Sequence, residues 1–184
     1  MRTTAEYKIG SDNEFIIENY NYAKAFSSFL PGIAGVDGIP MWVFYVNRNQ
    51  AVCSLGIESK DRAMMEFLPA NLAYQLVGTQ GFRTFIKVTA KGGFTLYEPF
   101  RIYEKEEGYI PSQVMTMTPY SVVLREVHEK LGISVEVKYC NVVREPFPGL
   151  IRQVEIKNIS RKLLKIELLD GMPQVIPSGW TMPA

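Results

Sequence analysis

Apolar and polar residues alternate with a period of two along most of this chain. Residues 82–90, FRTFIKVTA, put Phe82, Thr84, Ile86 and Val88 on one face, and residues 134–143, SVEVKYCNVV, set Val135, Val137 and Tyr139 against Glu136 and Lys138. Successive side chains of a strand point to opposite faces, so this alternation predicts strands with one wet side. MWVFYVN (41–47) and AVCSLGI (51–57) flank Arg48, Asn49 and Gln50, which reads as a β-hairpin with a polar turn. A Lys91-Gly92-Gly93 turn leads from 82–90 into FTLYEPFRIYE (94–104). RQVEIKNIS and KLLKIELLDG repeat the alternation around Asn158-Ile159-Ser160-Arg161-Lys162, the expected turn of a strand pair. Recurrent turn signals between short strands predict a mainly β, antiparallel sandwich with few short helices.

Two segments break the rhythm. SVVLREVHEKLG (121–132) spaces Val123, Leu124, Val127 and Leu131 as a helix would, with Gly132 at the C-cap. It reads equally well as a hairpin arm turning at Glu129–Gly132 into the next strand, and a true helix there would make the domain α+β. PANLAYQLVG (69–78) fits a short helix or a loop with one helical turn. Gly32, Gly35 and Gly38 lie at three-residue spacing and end in Gly-Ile-Pro rather than the Gly-Lys-Ser/Thr of a phosphate loop. With Pro40 and a β-rich run following, no helix opens behind the glycines. They read as a bend, with Pro40 at the start of a strand.

Composition adds bounds. With 184 residues and no Pro/Gly/Ser linker, residues 1–184 form a single domain large enough for a real core. Lys and Arg number 20 against 19 Asp and Glu, so no charged field points to nucleic acid or an anionic membrane. The N-terminus is polar and no apolar run approaches the ~20 residues that span a bilayer. Cys53 and Cys140 are far apart in sequence and read as free thiols of a reducing, cytoplasmic compartment. His128 is the only histidine and sits among Arg125, Glu126, Glu129 and Lys130, the pattern of a solvated stretch. A multi-histidine metal site is therefore excluded, no G-x-S-x-G elbow supports a serine triad, and no cofactor is expected. Trp42, Tyr45, Tyr74 and Phe82 have the rings to stack on sugars, but aromatics in alternating runs are more often core. Asn47, Arg48, Asn49 and Gln50 at one turn, and Lys60, Asp61 and Arg62 at another, are the polar groups best suited to hydroxyl-rich or carboxylate partners.

Residues 26–87 carry F-L-P-G-I-A-G, G-I-P-x-W, F-Y-V-N-R, K-D, E-F-x-P-A-N, A-Y-Q and G-F-R-T-F-I-K. That series resembles the N-terminal region of cellobiose phosphorylase-like proteins, including the long β-glucan (oligoglucan) phosphorylases. V-E-I-K-N-I-S…I-E-L-L-D-G-M-P-Q-V-I-P-S-G at 154–179 resembles a strand pair and loop of the same family's β-sandwich domain, of the galactose-mutarotase or supersandwich kind. The resemblance implies a parent enzyme that cleaves β-glucosidic bonds with inorganic phosphate and inversion. It places the general acid and the phosphate site on a later α/α barrel, so no residue here inherits a catalytic role. It implies a chain ending while the sandwich is still running, with an edge or apolar face exposed. It also favours the hairpin over the helix at 121–132. The expected partners are the barrel of the same parent chain, a β-glucan oligosaccharide and a second subunit; a stand-alone carbohydrate-binding module is the alternative. Asn47, Arg48, Asp61 and Arg83 are the residues expected to touch barrel or substrate.

Overall fold

The computed structural model describes residues 4–34, 38–90, 93–104 and 107–179. Its strands are β1 (Glu6–Ile9), β2 (Phe15–Glu18), β3 (Ser27–Ala34), β4 (Ile39–Val46), β5 (Val52–Ile57), β6 (Arg83–Ala90), β7 (Gly93–Tyr97), β8 (Ser112–Thr118), β9 (Ser121–His128), β10 (Ile133–Asn141), β11 (Leu150–Asn158) and β12 (Lys165–Gly171). Among the described residues one α-helix, α1 (Ala70–Gln80), interrupts them. All pairings are antiparallel, in a six-stranded sheet β1-β2-β8-β9-β10-β11 and two three-stranded sheets, β12-β6-β7 and β3-β4-β5. The mainly β, sandwich-like fold is the one the alternation predicts.

One core joins the three sheets. Ile17, Met115, Leu124, Val135 and Val137 from the six-stranded sheet pack with Val43 and Tyr45 of β4 and Ile86 and Val88 of β6. Val135 and Val137 are fully buried, each stabilising the fold by about 1.5–3 kcal/mol relative to exposure. The intervening β4 residues, Phe44 and Val46, face the other way and pack on Ala73 and Val77 of α1. Thus β4 is covered on both faces, which explains its nearly continuous apolar run.

The 121–132 segment is a hairpin arm, not a helix. Val122, Leu124 and Glu126 alternate into the interior, and Gly132 closes the turn to β10 at φ 68. The 69–78 segment is helical, with Pro69 ahead of the first turn and the Gly81 amide bonding the Val77 carbonyl at 3.0 Å. Gly32 is not in a bend: it lies within β3, opposite Met41. A Cβ there would come within 2.6 Å of the Asn141 side chain, so close packing on β10 requires the glycine. Pro31 is tolerated beside it because β3 is an edge strand. Gly38 is at a turn with φ 69; Gly35, and Lys91 and Gly92 of the other predicted turn, lie outside the described residues.

Asn158–Lys162 does not turn a strand pair back on itself. β11 pairs with β10, whereas β12 pairs with β6 in another sheet. The Ile159 amide bonds the Gly132 carbonyl at 2.8 Å, and the Asn158 side chain binds Ser160 and the Lys162 carbonyl. These bonds tie the segment to the β9–β10 turn and redirect it across the sandwich.

Candidate functional site

The four residues expected to meet a partner go to different surroundings. Asn47 follows β4, and its side chain is buried: Oδ1 accepts from the Phe26 amide at 2.8 Å, while Nδ2 donates to the Lys24 and Tyr20 carbonyls. The exposed-turn placement expected for it is corrected, because these backbone groups of the preceding segment have no strand partner and the amide supplies one. Arg48 is half-buried, its guanidinium 4.9 Å from the centroid of the Tyr74 ring on α1. Beside it runs a groove of about 360 Å³ lined by Phe26, Ser27, Asn71, Tyr74 and Gln75. Asp61 is exposed in a single 3-10 turn, Lys60–Arg62, and pairs with its neighbour Lys60. Arg83 opens β6 and binds Glu98 in two parallel bonds of 2.7 and 2.9 Å, with Phe85 beneath it.

A denser polar corner adjoins Arg83. The guanidinium of Arg152, inward on β11, donates to both oxygens of Asp170 at 2.6 and 2.8 Å and to Oε1 of Gln50 at 2.7 Å. Thr84 donates to Asp170 at 2.6 Å and accepts from Gln50 at 3.0 Å. Phe82 stacks 4.7 Å from the same guanidinium. Thr84 and Asp170 face each other across β6–β12, and that register brings them to Arg152. Burial pushes the Asp170 carboxyl up, but bonds from Arg152 and Thr84 outweigh it and hold it below the usual carboxylate range. Asp170 and Arg83 also line a pocket of about 140 Å³ with Gly171, Met172 and Pro173. Gln50 and the L-D-G-M-P stretch were visible in the sequence, and Thr84 only as a polar position on the apolar face of its strand; Arg152 was not, since it does not differ from any other polar residue in an alternating strand.

A second network lies deeper. Glu126 is 0% exposed. Its Oε1 accepts from the Tyr97 and Tyr103 hydroxyls, each at 2.8 Å, and its Oε2 from the Phe100 amide at 2.6 Å and Gln113 at 2.8 Å. Gln113 in turn accepts from Asn21, whose oxygen takes the Asn49 amide. Burial raises the Glu126 pKa against the opposing effect of its four donors. His128 is not the solvated residue its neighbours suggested. Its ring packs on Tyr97 and Tyr109, and Nδ1 accepts from the Leu131 amide at 3.2 Å, so it braces the β9–β10 turn. Burial pushes the Cys53 thiol up to about 12, and the thiol lines a mainly apolar cavity of about 250 Å³ under α1.

Glu126 is sealed, Asp170 is neutralised by Arg152, and Cys53 is held as the thiol. Among the described residues no group of three or more His, Cys, Asp or Glu side chains could hold a metal ion. No described helix is long and apolar enough to cross a membrane. Comparison with protein-family models and with curated proteins gives no match.

Proposed function

We propose that this chain is the non-catalytic β-sandwich module of a cytoplasmic glycoside phosphorylase, supporting a catalytic α/α barrel that performs inverting phosphorolysis of β-glucosides or β-glucans. The observation that carries the reading is the outward face of the β12-β6-β7 sheet. Phe94 and Leu96 of β7 are 62% and 71% exposed there, next to Leu169 of β12 and the half-buried Phe85. Lys87–Glu167 and Arg83–Glu98 ion pairs border them. An apolar patch rimmed by charge marks an interaction surface, and the motif series at 26–87 and 154–179 indicates which kind of enzyme supplies the partner. In the polypeptide that joins this module to its barrel, Leu96→Asp is expected to lower oligoglucan phosphorolysis while leaving the module's own unfolding midpoint unchanged. Phosphorolysis by the purified 184-residue chain alone would overturn the reading.

The groove beside Arg48 favours a second reading, a carbohydrate-binding module. Tyr74, Asn71 and Gln75 offer a ring and two amides to a hydroxyl-rich ligand. Millimolar or tighter glucan binding in calorimetry, lost with Tyr74→Ala, would favour it over the scaffold.

A further inference from the structure

The segment that enters and forms β12 runs Leu163-Leu164-Lys165-Ile166-Glu167-Leu168-Leu169. Read backwards it is the same sequence with Lys and Glu exchanged. β12 hydrogen-bonds to β6 along one edge, and among the described residues no strand pairs with its other edge. Side chains of β12 are exposed on both faces, Leu168 at 52% and Leu169 at 70%; just ahead of the strand Leu163 is 99% exposed, while Leu164 rests partly on the core. We propose that this free edge pairs antiparallel with β12 of a second copy of this chain, about a two-fold axis through Ile166.

The register follows from the sequence. With the axis at Ile166, each Lys165 faces the other copy's Glu167, Leu164 faces Leu168, and Leu163 faces Leu169 when the strand extends by two residues. Directly opposed residues of an antiparallel pair share a face, so apolar positions meet apolar ones and opposite charges meet twice. Moving the axis to Glu167 sets that carboxylate against itself. Moving it to Lys165 opposes two ammonium groups, and moving it to Leu168 places Ile166 against Asp170. Of these axes, the one at Ile166 alone opposes apolar to apolar and opposite charge to opposite charge at every pair. Exposed edges are ordinarily protected by charges that repel a second copy; here the two charges on the strand attract one. Glu167 keeps its bond to Lys87 at 2.8 Å, since a carboxylate has acceptor sites for both cations. The two three-stranded sheets then become one continuous six-stranded sheet, an isologous contact of closed symmetry.

The test is a charge exchange on the 184-residue chain, read by sedimentation equilibrium. The wild type is expected to dimerise. Lys165→Glu and Glu167→Lys each set like charges opposite one another at both pairs, and each alone is expected to weaken dimerisation about tenfold or more. Mixed in equal amounts, the two variants restore opposite charges and are expected to form a heterodimer of wild-type affinity. Ile166→Cys places two thiols face to face at a strand-pair separation of about 4.5–5.5 Å, within disulfide reach. It is expected to cross-link on mild oxidation, whereas Leu96→Cys on the opposite edge strand is not. A monomeric wild type, single variants that dimerise like the wild type, or a mixture that stays monomeric would each overturn the proposal. Circular dichroism of every variant checks that loss of dimer is not loss of fold.

Discussion

Adjacent residues at the β4–β5 turn do different work. The Asn47 side chain joins three backbone groups inside the molecule, while the Arg48 guanidinium rests on a half-buried ring at its surface. Asn47→Ala strands the Phe26 amide and is expected to cost about 1–3 kcal/mol in urea unfolding. Arg48→Ala is expected to stay within about 0.5 kcal/mol and, under the proposed function, to show its effect only in barrel docking or oligoglucan turnover. If Arg48→Ala unfolds the chain, its role is internal. Glu126 gives a pH signature. Because burial raises its pKa in the fold, the unfolded chain releases this proton first as pH rises past about 4.3. Between that point and the folded pKa the native state binds more protons, so Glu126 makes stability fall with rising pH. Glu126→Gln can donate to the two tyrosine hydroxyls and accept from Phe100 and Gln113. It is therefore expected to fold and to abolish this component, so that its stability relative to wild type grows as pH rises from acid toward neutral. A pH-independent difference would show that Glu126 is not the source.

At the scale of elements, the β9–β10 turn is set by conformation and by contact. Gly132 has φ 68, and a Cβ there would lie 2.5 Å from that of Ser160. Gly132→Ala is expected to cost more than about 1 kcal/mol, whereas Gly108→Ala, with open space around it, should be nearly neutral in the same denaturation assay. Strands were readable because their inward residues recur at period two, as Thr84, Ile86 and Val88 do. Three features were not readable, each because a distant segment decides it. β4 is covered on both faces by α1 and the core, Gly32 is a strand residue packed on Asn141, and β12 leaves its sequence neighbour for β6. The site divides the same way. Arg83 was legible as an arginine at a strand's start, but Arg152 became notable only when Asp170, Gln50 and Thr84 were brought around it by register.

For the molecule as a whole, paired strands differ in how far apart they lie in sequence. β8, β9, β10 and β11 follow one another as consecutive hairpins, whereas β12 reaches β6 through partners 80 and 86 residues apart. Closing so long a loop costs entropy before any contact repays it. β2 pairs with β8 over a longer separation still, Phe15 opposite Met117, so the β8–β11 meander is expected to assemble early and the β2–β8 and β6–β12 pairings to form late. In stopped-flow kinetics, Leu124→Ala in β9 should slow refolding, while Leu168→Ala in β12 should chiefly speed unfolding. On the ribosome, where the chain emerges from its N-terminus, the β6–β7 hairpin must wait with one edge bare until β12 is made. The time spent in that half-built state, rather than the stability of the finished sandwich, then governs how much newly made chain escapes aggregation.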